Sequence, residues 1–140
     1  MRWLIDTVPL VAYVDAADPA HESVAAVLDT FTGRLQTTSA VVTEALHMVS
    51  ADLDGPEILV EFLLSTATEV AEVGRPGQLQ AAVGLMKKYR DTPMDFADAT
   101  LVLLGDRLSV LDILTLDRRG FLTYRAASGK AFRLVLPRIR

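Results

Sequence analysis

The sequence predicts an α/β fold of three layers, α/β/α, around a central and mostly parallel sheet. Three observations lead there. Short apolar, β-branched runs alternate with longer stretches whose apolar residues recur at helical spacing, the pattern that crossover helices over a parallel sheet require. Several runs end in small polar or acidic residues suited to capping a helix. No repeat, linker or low-complexity tract interrupts the alternation. A length of 140 residues, 51% hydrophobic and 23% charged, suits one well-cored domain spanning 1–140.

The run Arg2–Ile5 reads as a strand closed by Asp6-Thr7, then a helix with Thr7 as cap and Pro9 in its first turn. Asp18-Pro19 stops that helix and opens another over 19–31, with Val24, Val27, Leu28 and Phe31 on one face and Gly33 ending it. Residues 35–38 read as a strand, and Ser39 caps a helix turning Val42, Leu46 and Val49 inward. Gly55-Pro56 starts a helix over 57–65, and 68–73 is β-branched enough for a strand. Residues 74–77 read as a turn, followed by a helix over 78–89. After Asp91-Thr92-Pro93 comes a central helix over 95–108, carrying Gly105 near its end. A strand over 112–116, a turn or short helix over 118–121 and a final strand over 132–136 complete the chain.

Composition removes several function classes. With no cysteine there is no disulfide, thiol nucleophile or zinc-thiolate site. No stretch approaches the roughly 18–20 apolar residues of a membrane span. Asp6 interrupts the N-terminal apolar run too early for a signal peptide, so a cytoplasmic protein is expected. The net charge of −4 is unevenly spread: three basic and twelve acidic residues lie up to Arg75, eleven and six after it. From Arg118 onward there are seven basic residues and no acidic one. A basic tail beside an acidic cluster suits gripping a phosphate backbone while cations occupy the cluster.

Four carboxylates fall at equivalent topological places. Asp6 ends the first strand, Glu44 sits early in the helix after the second, Asp98 opens the central helix, and Asp117 ends the fourth strand. Right-handed crossovers bring the C-terminal ends of parallel strands to one edge, so all four can share a crevice. Two like charges about 4 Å apart repel by about 4 kcal/mol at an effective dielectric near 20. A divalent cation relieves this, and oxygen-only ligands point to Mg²⁺ or Mn²⁺. Each acid also has a plainer role: strand-end turn for Asp6, solvated helix residue for Glu44, third residue of a capping box begun by Asp95 for Asp98, helix cap for Asp117.

Four segments carry a family resemblance: Leu4-Ile5-Asp6-Thr7, the run from Thr37 to His47 containing Glu44, Pro93-Met94-Asp95-Phe96-Ala97-Asp98-Ala99, and the run from Leu114 to Phe121 containing Asp117. Together they resemble a PIN domain, and in particular the VapC-type toxins, along essentially the whole chain. The resemblance implies a PIN fold and a Mg²⁺- or Mn²⁺-dependent endoribonuclease, with Asp6, Glu44, Asp98 and Asp117 as the catalytic and metal-holding acids. Thr115 matches a hydroxyl residue that orients the last acid. Asp95 matches a further acid whose role is metal shell or helix cap, with the cap favoured. Water would attack RNA phosphorus in line, leaving a 5′-phosphate and a 3′-hydroxyl. An antitoxin partner and a homodimer are implied too. One departure is Arg118-Arg119-Gly120, where the family often places another acid before the phenylalanine.

Lys87, Lys88 and Arg90, just before the acidic motif, are RNA-contact candidates beside Arg118 and Arg119. His47 is expected on its helix's flank, His21 as a local hydrogen-bonder, and Trp3 and Phe96 in the core. Two rivals stand. A phosphatase using Asp6 as nucleophile would want a second acid where Val8 lies. A non-catalytic PIN-like module would bind RNA or protein without cutting.

Overall fold

The computed structural model describes residues 1–137, so two arginines of the basic tail, Arg138 and Arg140, lie outside the described residues. Five strands form one parallel sheet: β1 (Arg2–Ile5), β2 (Arg34–Thr38), β3 (Glu69–Ala71), β4 (Asp112–Leu114) and β5 (Arg133–Leu134), in the order β3-β2-β1-β4-β5. Helices α1 (Thr7–Val14), α2 (His21–Thr30), α3 (Ser39–Val49) and α4 (Gly55–Ser65) make the crossovers from β1 to β3. Helices α5 (Pro76–Lys88) and α6 (Phe96–Leu108) return the chain to β4, and α7 (Arg118–Thr123) leads to β5. Right-handed crossovers in opposite directions put the two groups on opposite faces; α1 packs on α2, α3 and α4, and α5 packs on α6.

Strand order reverses between β1 and β4. Leu4 pairs with Ile113 and Ile5 with Leu114, and the Asp6 N–H continues the ladder to the Leu114 carbonyl at 3.0 Å. In open parallel sheets such a reversal leaves a crevice at the C-terminal ends of the two diverging strands. Buried threonines hold the neighbouring elements to it. The Thr37 hydroxyl donates to the Ile5 carbonyl at 2.8 Å, and Thr38 and Thr100 share a 2.8 Å hydrogen bond that ties β2 to α6. At the far edge Arg133 grips Asp112 with two bonds of 2.7 and 2.8 Å, clipping β5 onto β4.

Local chemistry shifts several expected boundaries. Asp6, not Thr7, caps α1, because the Asp6 carboxylate takes the Thr7 N–H. Thr38, not Ser39, caps α3, which buries Val41, Ala45 and Val49. Helix α2 starts at His21, since Asp18 first closes a turn by accepting the Ala20 N–H. The expected turn over 74–77 is half helix: Pro76 opens α5, where its missing N–H is harmless. Strand β4 stops at Leu114, leaving three residues to reach Asp117. Gly105 sits within α6 because the chain turns back beneath it; a Cβ there would lie 2.7 Å from the Val110 carbonyl oxygen.

Candidate active site

Three helices point their N-terminal ends at the crevice beyond β1 and β4, and each is capped by an acid: Asp6 on α1, Asp95 on α6, Asp117 on α7. A short polar side chain just before a helix satisfies free backbone N–H groups, and the helix dipole favours its negative charge. The same local rule therefore explains why the chain puts carboxylates at all three places.

Asp6 is 6% exposed; one carboxylate oxygen takes the Thr7 N–H and the other the Thr115 hydroxyl, both at 2.8 Å. Thr115 is buried too, and its oxygen accepts the Asp117 N–H at 3.0 Å. One hydroxyl thus joins the acids on either side of the strand reversal. Glu44, half-buried on α3, accepts from the Thr7 hydroxyl at 3.3 Å. Asp95 and Asp98 form a reciprocal capping box, with bonds of 2.8 and 3.2 Å. Asp117 accepts the Gly120 N–H at 3.0 Å. The plainer helix-end roles of Asp98 and Asp117 are therefore occupied.

The carboxylates sense one another. Burial pushes the Asp6 carboxyl up to about 6 against its hydrogen bonds from Thr115 and Thr7, with the charges of Asp95 and Asp117 adding to the rise. Burial and the charges of Asp6 and Asp95 push Asp98 up to about 8. Glu44 is raised by burial and by Asp95, against its bond from Thr7. Beneath them the buried Tyr124 phenol is raised by burial and then by Asp98, Asp117, Asp95 and Asp6. No cationic side chain offsets this charge: among the described residues the ion pairs are Arg34–Glu69 and Arg133–Asp112, both elsewhere.

Such a site suits a hard divalent cation, since its donors are oxygens whose repulsion has no internal remedy. Among the described residues no three acid or histidine side chains stand close enough together to hold a metal ion as a group. Mg²⁺ does not need three, because it takes one or two protein carboxylates and completes its shell with water and substrate phosphate. The residues fit the group.

The basic candidates lie at the end of α5 and the start of α7. Lys87 and Lys88 end α5 and Arg90 follows, all exposed. Arg118 and Arg119 open α7; the Arg118 guanidinium reaches the Leu136 carbonyl at 3.5 Å, while Arg119 is exposed. His47 is exposed on α3, and His21 bonds locally through Nδ1 to the Ala12 carbonyl at 2.7 Å. Trp3 stacks on Phe31 with ring centroids 3.9 Å apart. Phe96 is not core: as the first residue of α6 its side chain is turned outward and it is 36% exposed. Val8, where a phosphatase would carry its second acid, is apolar and 40% exposed. Sequence reasoning passed over Thr7 as the link from Glu44 to Asp6, Gly120 as the donor to Asp117, and Tyr124. The first two sit beside marked acids; Tyr124 carries no local signal.

No family model matches the chain. Ribonuclease VapC26 of Mycobacterium tuberculosis is 34% identical over 134 residues, covering 94% of this chain and 98% of that protein. The crystal structure of Mycobacterium tuberculosis VapC20, described as a sarcin-ricin loop cleaving toxin, superposes with a TM-score of 0.74 over 84% of this chain and 91% of that one, at 18% identity. At that identity the second likeness speaks for the fold.

Proposed function

The chain belongs to the VapC-type family of PIN-domain ribonucleases, and from that membership we propose a Mg²⁺- or Mn²⁺-dependent endoribonuclease, the toxin of a toxin–antitoxin pair. The observation that supports the reading is that burial and neighbouring acids raise Asp6, Glu44 and Asp98, with Asp117 adding to the rise at Asp6, while no ion pair among the described residues offsets them. Asp6, Glu44, Asp98 and Asp117 would hold a divalent cation, which would neutralise the carboxylates, polarise the phosphodiester and make water a better nucleophile.

The chain's own residues hold the geometry. Thr115 and the Thr7 N–H fix both oxygens of Asp6, leaving its remaining lone pairs for the crevice. The Thr7 hydroxyl orients Glu44, and the Asp95 N–H, donated to the Asp98 carboxylate, orients Asp98. Arg119, with Lys87, Lys88 and Arg90 on the other flank, can contact phosphates either side of the scissile bond. VapC20's described action on the sarcin-ricin loop supports testing structured RNA first. An antitoxin partner and a homodimer belong to the same reading.

The test is cleavage of a mixed structured-RNA pool in Mg²⁺, Mn²⁺ or EDTA, beside Asp98→Asn. Cutting that needs the metal, leaves 5′-phosphates and disappears in the variant is expected. Cutting that persists in EDTA, or in the variant at the wild-type rate, would overturn the assignment.

A further inference from the structure

Tyr124 is fully buried, yet its hydroxyl is not idle. Its ring stands edge-on to Phe121 and Tyr89, with centroids 5.1 and 5.0 Å away. The hydroxyl donates to the Pro93 carbonyl at 2.8 Å and lies 3.2 Å from that of Thr92. One residue on, the Arg125 N–H donates to the Tyr89 hydroxyl at 3.1 Å. The chain at 124–125 is therefore stitched twice to the stretch that leads into Asp95.

Tyr124 also ends α7. Its N–H goes to the Gly120 carbonyl at 2.9 Å, and the N–H of that same Gly120 goes to Asp117 at the helix's other end. Helix α7 is a strut about 9 Å long, at 1.5 Å per residue over six residues. One end carries Asp117; the other is clamped to Pro93, two residues before Asp95. The Thr38–Thr100 bond holds the second turn of α6, and buried Met94 packs without directionality. Among the described residues, Tyr124 is the only side chain bonded to the backbone of 91–94.

We infer that Tyr124 is a positioning residue: by holding the Thr92 and Pro93 carbonyls, its hydroxyl sets the spacing between Asp117 and the Asp95–Asp98 pair. The inference rests on the nuclease reading for its effect on rate, though not for its effect on structure. Phenylalanine would fill the same space, so packing alone gives no reason for the hydroxyl, which is buried against the Thr92 and Pro93 carbonyls.

The experiment compares wild type, Tyr124→Phe and Val24→Ala, the last a buried truncation in α2 remote from the crevice. Tyr124→Phe is expected to keep its fold by circular dichroism, leave KM within about twofold and lower kcat about 10- to 100-fold, the scale set by small misplacements of reacting groups. Amide hydrogen exchange should quicken at Phe96–Asp98 while β1 stays protected. Val24→Ala should lose at least as much thermal stability and keep kcat within about twofold. A Tyr124→Phe protein with wild-type kcat would overturn the inference, as would exchange that quickens equally in β1. If wild-type protein cuts no RNA, the nuclease reading fails by itself, and the exchange pattern still decides whether the hydroxyl orders the approach to α6.

Discussion

Asp98 shows how one side chain serves two opposed demands. It closes the capping box at the start of α6, and its charge lies half-buried against Asp6 and Asp95. Because folding raises its pKa, the native state binds the proton more tightly than the unfolded chain. Stability from this source is present at low pH and declines as pH rises from about 4 toward about 8, with Asp6 contributing the part of the decline up to about 6. Without divalent ions, the wild-type Tm should therefore drop between pH 5 and pH 8.5. Asp98→Asn, which keeps a capping oxygen and removes the charge, should flatten that decline and raise the Tm at pH 8 by on the order of 5 °C while abolishing cleavage. A scan across pH checks it, and an Asn variant with the wild-type slope would contradict the electrostatic account. Capping boxes are local, so the pairing of Asp95 with Asp98 was legible three residues apart. The Thr7–Glu44 and Thr115–Asp6 bonds span 37 and 109 residues, and no local pattern announces them.

At the scale of elements, the site is a meeting of helix ends. The acid-then-helix grammar of α6 and α7 could be read directly, since Asp95 and Asp117 cap their own helices, whereas at α1 the cap expected at Thr7 falls on Asp6. What could not be read is the angle at which those helices meet, which depends on register and on aromatic packing between Phe121, Tyr124 and Tyr89. Phe96 illustrates the gap: its apolar context suggested core, but the first residue of α6 faces outward. Helix α7 offers a sharp test through Gly120. A Cβ there would collide with the Asp117 carboxylate and lie 3.0 Å from the Tyr124 ring. The carboxylate is the free end of an exposed side chain and gives way cheaply. Gly120→Ala should thus change Tm by only a few degrees while lowering kcat at least about tenfold, a separation that paired melting and single-turnover assays would reveal. Equal losses in stability and rate would mean that the strut itself had collapsed.

For the molecule as a whole, sheet order and charge distribution work together. The reversal between β1 and β4 fixes where a crevice can form, and Asp6 and Asp117 follow the two strands that part there. Parallel pairing followed from the alternation of runs. The length of β4 and β5 did not, because where a strand stops depends on its neighbour's register. No helix among the described residues is long and apolar enough to cross a membrane. With a net charge of −4, binding to RNA must come from the local basic residues. Replacing Lys87, Lys88 and Arg119 by alanine should raise KM with kcat nearly intact. It should also flatten the dependence of log KM on log salt by about 0.7 for each phosphate that the variant no longer neutralises. An unchanged salt slope would place the RNA on another surface.

The bond from Thr115 to Asp6 has a consequence for how the protein comes into being. It joins residues 109 positions apart, and Asp117 lies beyond it. A nascent chain still being translated through β3 holds Asp6 and Glu44 but lacks β4 and the Thr115 hydroxyl that binds Asp6. Contacts of such long range form late in folding. On the proposed assignment of the acids, cutting would therefore wait for β4 to pair beside β1, and a chain translated only through β3 would be inert.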